Sequence, residues 1–402
     1  MRPDLFPEMT LGDIYGGELA FAPTPSPKNR NWLPQDPIAI EMLSGGMLTI
    51  ADDMPVLCAA SVATAEGMQL LRDAGFAEAR NLVRYKNNKE HDLQIGKLLG
   101  TGLKIALQHA PHPSEARPDA YWINPETLAF LNNKGHLSHL VDAGQLPARR
   151  IVSPRQLRQF LVHDSLPVVV KAATNETTGG GGDVAICHNL KDLQYAENLF
   201  RNCQHVVTEE YLPMTRNLCL NYAITAKGEI SYLGSAEQIS DMQGKYFGNW
   251  LDDNCQTPTE AIDAGRRVAE KGYKHGYCGC VGMDMAIMED GRILIFDLNF
   301  RLNGSTAALL LSANLKKKYG APVMRLAGIR STNSYQSMIK SIYTVMDKGL
   351  FVPLVTCNPD ATEHLPNLPR ASGLILGKTR QHVRERCQEL KTLELEVVGS
   401  QF

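Results

Sequence analysis

Residues 281–301 read Val281-Gly282-Met283-Asp284-Met285-Ala286-Ile287-Met288-Glu289-Asp290-Gly291-Arg292-Ile293-Leu294-Ile295-Phe296-Asp297-Leu298-Asn299-Phe300-Arg301. Two apolar runs flank Asp290-Gly291, a dipeptide suited to a two-residue hairpin turn. With that turn Glu289 pairs with Arg292, and the register sets Asp284 directly opposite Asp297. Facing carboxylates repel, so the pair needs a shared proton or an intervening cation. Asn299 lies on the face of Asp297, because alternate strand residues point the same way. Two carboxylates and an amide oxygen form an all-oxygen set suited to Mg²⁺ carried by a nucleotide, which makes Asp284, Asp297 and Asn299 candidate metal ligands. Arg301 points the same way, toward an anionic substrate or intermediate. A three-residue turn would break this register and leave two solvated aspartates.

The second signal lies upstream. Val168-Val169-Val170-Lys171 reads as a strand and Asp183-Val184-Ala185-Ile186-Cys187 as its return, with Thr177-Thr178-Gly179-Gly180-Gly181-Gly182 between them. A Rossmann or Walker loop passes from strand to helix, whereas this one passes from strand to strand. A flap that closes over a nucleotide fits that context better, its bare backbone N–H groups suiting phosphate oxygens. Lys171, an ammonium ending an apolar strand, needs a partner, and phosphate provides one. Gly373-Leu374-Ile375-Leu376-Gly377-Lys378-Thr379 resembles a Walker loop but has three residues between its glycines, and Pro366 and Pro369 interrupt what precedes it.

Composition sets the bounds. A chain of 402 residues predicts two or three domains, and 44% apolar with 21% charged residues excludes wholesale disorder. A net charge of −2, from 41 basic and 43 acidic residues, argues against nucleic acid as the main partner. No apolar run approaches the roughly 20 residues of a membrane span. The start Met1-Arg2-Pro3-Asp4-Leu5-Phe6-Pro7-Glu8 lacks the basic-then-apolar order of a signal peptide. Nine scattered cysteines without a C-x-x-C pair read as reduced thiols of a cytoplasmic protein. His136 and His139, three apart without a third ligand, do not make a zinc site.

Along the chain, residues 1 to about 35 read as an irregular arm rich in Pro, Gly and Asn. Met47–Ile50, Pro55–Cys58 and Leu103–Leu107 read as strands, with helices over Ala63–Ala74 and Pro125–Leu131. Leu137–Ala143 reads as helix. Ser153 caps another, with Leu157, Phe160 and Leu161 on its apolar face. His205-Val206-Val207 is a short strand entering Glu209-Glu210-Tyr211-Leu212. Leu218–Thr225 and Glu229–Leu233 form a hairpin, and Thr257-Pro258-Thr259-Glu260 reads as a capping box. Helices over Tyr335–Asp347 and Arg380–Leu390 and short strands make up the tail. The segment from Glu237-Gln238 to Trp250 is the candidate border of an acceptor site.

The order of these parts resembles the ATP-grasp superfamily over about residues 130–312. A lysine after a short polar run, a second lysine ending a strand, a Gly-rich flap, the Glu209-Glu210-Tyr211-Leu212 linker and then D…D-L-N-F-R form an ordered set, specific where each motif alone is weak. The resemblance implies an α/β (α+β) chain: an arm and pre-ATP-grasp domain over 1–130, an ATP-grasp region over 131–325, and a completing α/β segment over 326–402. It implies ATP and Mg²⁺, with Mn²⁺ as an alternative. By position Lys134 and Lys171 would reach the ATP phosphates, and Thr178, Gly179, Gly180, Gly181 and Gly182 would be the flap. The backbone of Glu209, Glu210, Tyr211 and Leu212, with the first carboxylate, would hold adenine. Asp284, Asp297 and Asn299 would be the metal ligands, and Arg301 would steady the carboxylate and acyl phosphate. Arg216-Asn217 stands where the family usually carries a ribose-binding glutamate, and Asn217 can hydrogen-bond a hydroxyl. A resemblance to natural-product peptide ligases is weaker, and no biotinylation-type lysine motif is present.

The implied activity is ATP-dependent ligation of a carboxylate to an amine, amino acids or small acids, through an acyl phosphate. The alternatives are a thiol, hydroxyl or carrier-protein acceptor on the same fold, or a nucleotide-binding regulator without turnover. Membrane and nucleic acid are not expected as partners, and the oligomeric state is not legible.

Overall fold

The computed structural model describes residues 4–157 and 166–401. Short runs that are apolar on both faces, such as Val56-Leu57-Cys58-Ala59, suit a parallel sheet covered by helices. Strands β1 (Leu19–Ala22), β2 (Val56–Ala59), β3 (Leu82–Tyr85) and β4 (Lys104–Leu107) pair in parallel in the order β3-β2-β1-β4. Helices Ala65–Ala74 and Asn88–Gly100 make two of the crossovers, the first ending at left-handed Gly75. The order reverses between β1 and β4. A ligand crevice in such sheets forms at that point, outside the carboxyl ends of the strands.

Two expectations for this part fail. The first 35 residues are not wholly irregular, since β1 is a central strand whose four residues are too few to show a pattern. Met47–Ile50 is a run of turns, and its apolar residues reflect burial without extension.

The next sheet is antiparallel and carries the flap. Strands β5 (Arg149–Val152), β6 (Val168–Ala173), β7 (Val184–Cys187) and β8 (His205–Glu210) pair in the order β5-β8-β6-β7. Lys171 pairs with Val184, so the glycine run joins antiparallel strands as read from sequence. Ser153 and Gln156 form a capping box around a short 3₁₀ turn. Phe160 and Leu161, expected on the helix beyond it, lie outside the described residues.

A nine-stranded sheet follows, from β9 (Met214–Ile224), β10 (Ile230–Ser240), β11 (Tyr246–Asp252), β12 (Gly279–Met288), β13 (Ile293–Asn299), β14 (Val323–Arg330), β15 (Phe351–Cys357), β16 (Arg370–Gly377) and β17 (Glu396–Val397). The β12–β13 turn has three residues, because the Met288 amide donates to the Arg292 carbonyl at 2.9 Å. Pairing starts with Ile287 on Ile293 and reaches Met285 on Ile295. A bulge at Phe296 then shifts it by one, and Asp284 meets Asp297 after all.

The capping box at Thr257 is not formed. The helix Thr259–Lys274 starts at Pro258 without a side-chain cap, and Thr257 Oγ1 instead meets the hydroxyls of Tyr232 and Ser235. The Walker-like stretch is mostly β16; Lys378 donates to the Gly320 carbonyl and Thr379 caps the helix Arg380–Thr392. All nine cysteines are free. No helix among the described residues is long and apolar enough to cross a membrane.

Candidate active site

The three sheets meet around a cavity of about 740 Å³, within the roughly 300–1,000 Å³ of small-molecule sites. Lys134, Lys171, Thr178, Gly179, Gly180, Gly181, Glu209, Glu210, Tyr211, Leu212, Asn217, Asp284, Asp297, Asn299 and Arg301 all line it. Gly182 does not. A Cβ there would come within 2.9 Å of the Trp32 carbonyl, so its bare Cα serves packing of the N-terminal arm. Gly180 and Gly181 hold φ of 67° and 83°, the left-handed region that L-residues avoid.

Asp284 and Asp297 face each other at the end of the hairpin. Burial, with the Asp297 charge adding to it, pushes the Asp284 carboxyl up to about 6. Asp297 moves the other way. Burial opposes its charge, but Lys134, Lys171 and Arg301 together hold it below the ordinary carboxylate range. The pair is therefore poised to share one proton or one cation, as the facing register required.

The cations are neutralised by the chain itself. Lys134 Nζ donates to Asp297 Oδ1 at 2.7 Å and lies 3.3 Å from Asp183 Oδ2. Burial works against that ammonium, yet Asp183 and Asp297 raise it well above its usual value. Lys171 Nζ pairs with Glu209 and donates to the Phe296 carbonyl at 2.7 Å. Phe296 is the extra residue of the bulge, so the irregularity that aligns the aspartates also presents a carbonyl to Lys171. Arg301 Nη2 donates to Asn299 Oδ1 at 2.6 Å and to the Thr178 carbonyl at 3.3 Å.

One sequence expectation needs correction in detail. The Glu209 carboxylate is buried against Lys171 and, at 3.3 Å, Arg149 Nη1, so it is committed to cations. Glu210 Oε1 accepts from the Ala148 amide at 2.8 Å. Asn217 Oδ1 is buried without a hydrogen-bond partner, and its Nδ2 meets Gln238 Oε1 at 3.5 Å. Eight residues of the segment from Glu237 to Trp250 line the cavity, Glu237, Gln238, Tyr246 and Asn249 among them, whereas Trp250 lies beneath the guanidinium groups of Arg325 and Arg380.

Sequence reasoning missed Asp183, Arg149, Gln108 and His109. Asp183 follows the four glycines, and only its burial at 2% exposure marks it as part of a charge network. The oxygen donors fit a divalent cation, since Asp284 Oδ1 is buried without a partner. Among the described residues no three His, Cys, Asp or Glu side chains cluster as a metal site.

Comparison with known proteins decides the family. Residues 147–299 match a model described as L-aspartate–L-methionine ligase, ATP grasp, and residues 10–129 match the N-terminal domain of the same ligase. The chain belongs to the ATP-grasp ligases. It is an ATP-grasp enzyme that joins a carboxylate to an amine. Solved structures share the fold across nearly their whole length. N5-carboxyaminoimidazole ribonucleotide synthetase from Thermus thermophilus has a TM-score of 0.59 at 12% identity, covering 93% of this chain and 98% of that one. The Staphylococcus aureus N5-carboxyaminoimidazole synthetase complexed with ADP has a TM-score of 0.58 at 11% identity, covering 97% and 99%. The biotin carboxylase domain of Hydrogenobacter thermophilus 2-oxoglutarate carboxylase, in complex with MgADP, ADP and bicarbonate, has a TM-score of 0.55 at 11% identity, covering 86% of each chain.

Proposed function

We propose that this ligase condenses L-aspartate with L-methionine, with ATP as the energy source and Mg²⁺ as its companion ion. The observation that carries the reading is that both parts of the chain, 10–129 and 147–299, match the two components of a ligase of that description. The cavity adds support, because it is lined from both parts: Gln108 and His109 from one, Lys171, the flap and the aspartates from the other.

The chemistry follows from the residues. Lys134, Lys171 and the flap amides take the phosphates, and the Glu209–Leu212 linker with Asn217 takes the nucleoside. Asp284, Asp297 and Asn299 are the oxygens that would hold Mg²⁺, whose charge offsets that developing on the phosphates. Arg301 steadies the aspartate carboxylate, one oxygen of which attacks the γ-phosphorus while ADP leaves. The methionine amine then attacks the acyl carbon, orthophosphate leaves, and the amine loses its proton. Lys134, Lys171 and Arg149, already paired with Asp183, Asp297 and Glu209, are less costly to hold buried before ATP arrives. The closed flap keeps water from the acyl phosphate.

Mass spectrometry of a reaction with aspartate, methionine and ATP tests this. The expected products are an aspartate–methionine dipeptide, ADP and orthophosphate, with phosphate release requiring both amino acids. Equal phosphate release with methionine omitted, or ligation of aspartate to polar amines in preference to methionine, contradicts the assignment.

A further inference from the structure

The cavity has two apolar regions, and one nucleotide explains only one of them. Val169, Ile186, Leu212, Met214 and Phe296 surround the linker end. A second wall, of Leu33, Pro34, Ala39, Ile40 and Leu43, lies across the flap and comes from a single stretch of the N-terminal part. Leu33 and Pro34 sit on the arm after β1, and the other three on the helix Pro37–Leu43. That helix buries Ile38 and Glu41 on one side and turns Ala39, Ile40 and Leu43, at helical spacing, to the cavity.

Position relates this wall to the reaction. A Cβ built on Gly179 would lie 3.2 Å from Leu33 Cδ2 and 3.8 Å from Arg301 Nη2. A Cβ built on Gly180 would likewise lie 3.0 Å from Pro34 Cγ. The wall thus meets the flap where the flap meets Arg301. The same cavity is lined by Gln108 and His109, which follow β4 at the β1–β4 reversal, where ligands of such sheets collect. Gln108 Oε1 and His109 Nε2 are buried without partners, and Asn29 of the arm donates to the Ala110 carbonyl at 2.9 Å.

We infer that this wall is the subsite for the side chain of the amine substrate, and that it selects an unbranched apolar chain. The inference rests on the reading of the enzyme as an aspartate–methionine ligase and assigns its two substrates to different ends of the cavity. An aspartate side chain against five apolar groups would lose water with nothing in return. A thioether chain would bury its surface there, and Gln108 Oε1 is the free acceptor for the amine N–H. The wall holds no sulfur-directed group, so it reads shape and apolarity; norleucine should replace methionine with a loss of no more than about 10-fold in kcat/KM.

Steady-state kinetics of dipeptide formation by Ile40→Ala and Leu43→Ala tests the inference, with Leu43→Met as the conservative variant. The KM for methionine should rise about 10-fold or more in the alanine variants and return toward wild type in Leu43→Met. The KM values for aspartate and ATP should stay within about 2-fold. An unchanged methionine KM in properly folded variants, or an equal rise in aspartate KM, overturns the wall assignment while leaving the ligase reading intact. A wild-type enzyme that joins aspartate to polar amines and refuses methionine and norleucine overturns both.

Discussion

Asp284 stands opposite Asp297 one step beyond the bulge at Phe296, and only Asp297 is engaged by a lysine, Lys134 Nζ at 2.7 Å. The pair is asymmetric for that reason: one carboxylate is held ionised while the other is held toward its neutral form. Asp297→Asn should lower kcat by more than about 100-fold at saturating Mg²⁺. The amide removes the repulsion across the strands and leaves Lys134 paired with Asp183, so the melting temperature should change little. Near-wild-type turnover would refute the metal assignment.

Glu209 tests the charge network by stability. Its carboxylate neutralises Lys171 and Arg149 away from water. Glu209→Gln should cost about 3–5 kcal/mol in urea unfolding, the usual penalty for stranding a buried charge. Combining it with Lys171→Met should recover part of that loss, because the stranded ammonium is gone. Additive losses in the double variant would mean that the two groups are not coupled in the fold.

The flap makes a backbone prediction. Alanine at Gly180 or Gly181 must adopt φ of 67° or 83°, at a cost of roughly 1–2 kcal/mol each. The double variant should bind ATP at least about 10-fold more weakly or turn over correspondingly more slowly. Unchanged kinetics would reduce the glycines to a linker.

How much of this was legible depended on the range of the interaction. The facing aspartates were read from a two-residue turn. The chain instead makes a three-residue turn and a bulge, two departures that cancel. A bulge depends on what Phe296 meets, here Lys171 from another sheet, and local pattern carries no trace of that. The flap was legible because strand signals on both sides of the glycines are local. Asp183 and Arg149 were not, since their partners Lys134 and Glu209 come from elsewhere in the chain. The apolar wall was hidden for a similar reason. Ile40 and Leu43 look like ordinary core residues until the helix is seen to bury Ile38 on its other side.

His109 supplies a pH dependence. Burial, reinforced by Arg301 and Arg30, holds its imidazole well below the ordinary value. The unfolded chain therefore takes up a proton at higher pH than the folded one. Stability should be full above about pH 6.5 and fall as pH drops below it, by up to about 1.4 kcal/mol per unit for this one site. His109→Gln should flatten that part of the curve of melting temperature against pH. An identical acid-side decline in the variant would assign the loss to other groups.

The central claim is that a carboxylate oxygen is phosphorylated by ATP before the amide forms, and oxygen labelling addresses it directly. Aspartate with ¹⁸O in its carboxyl groups, incubated with methionine, ATP and Mg²⁺, should give ADP, dipeptide and orthophosphate carrying one ¹⁸O atom per peptide bond made. Label-free orthophosphate, or ¹⁸O in AMP released with pyrophosphate, would contradict the acyl-phosphate route and the assignment of the lysine, flap and aspartate cluster to the γ-phosphate.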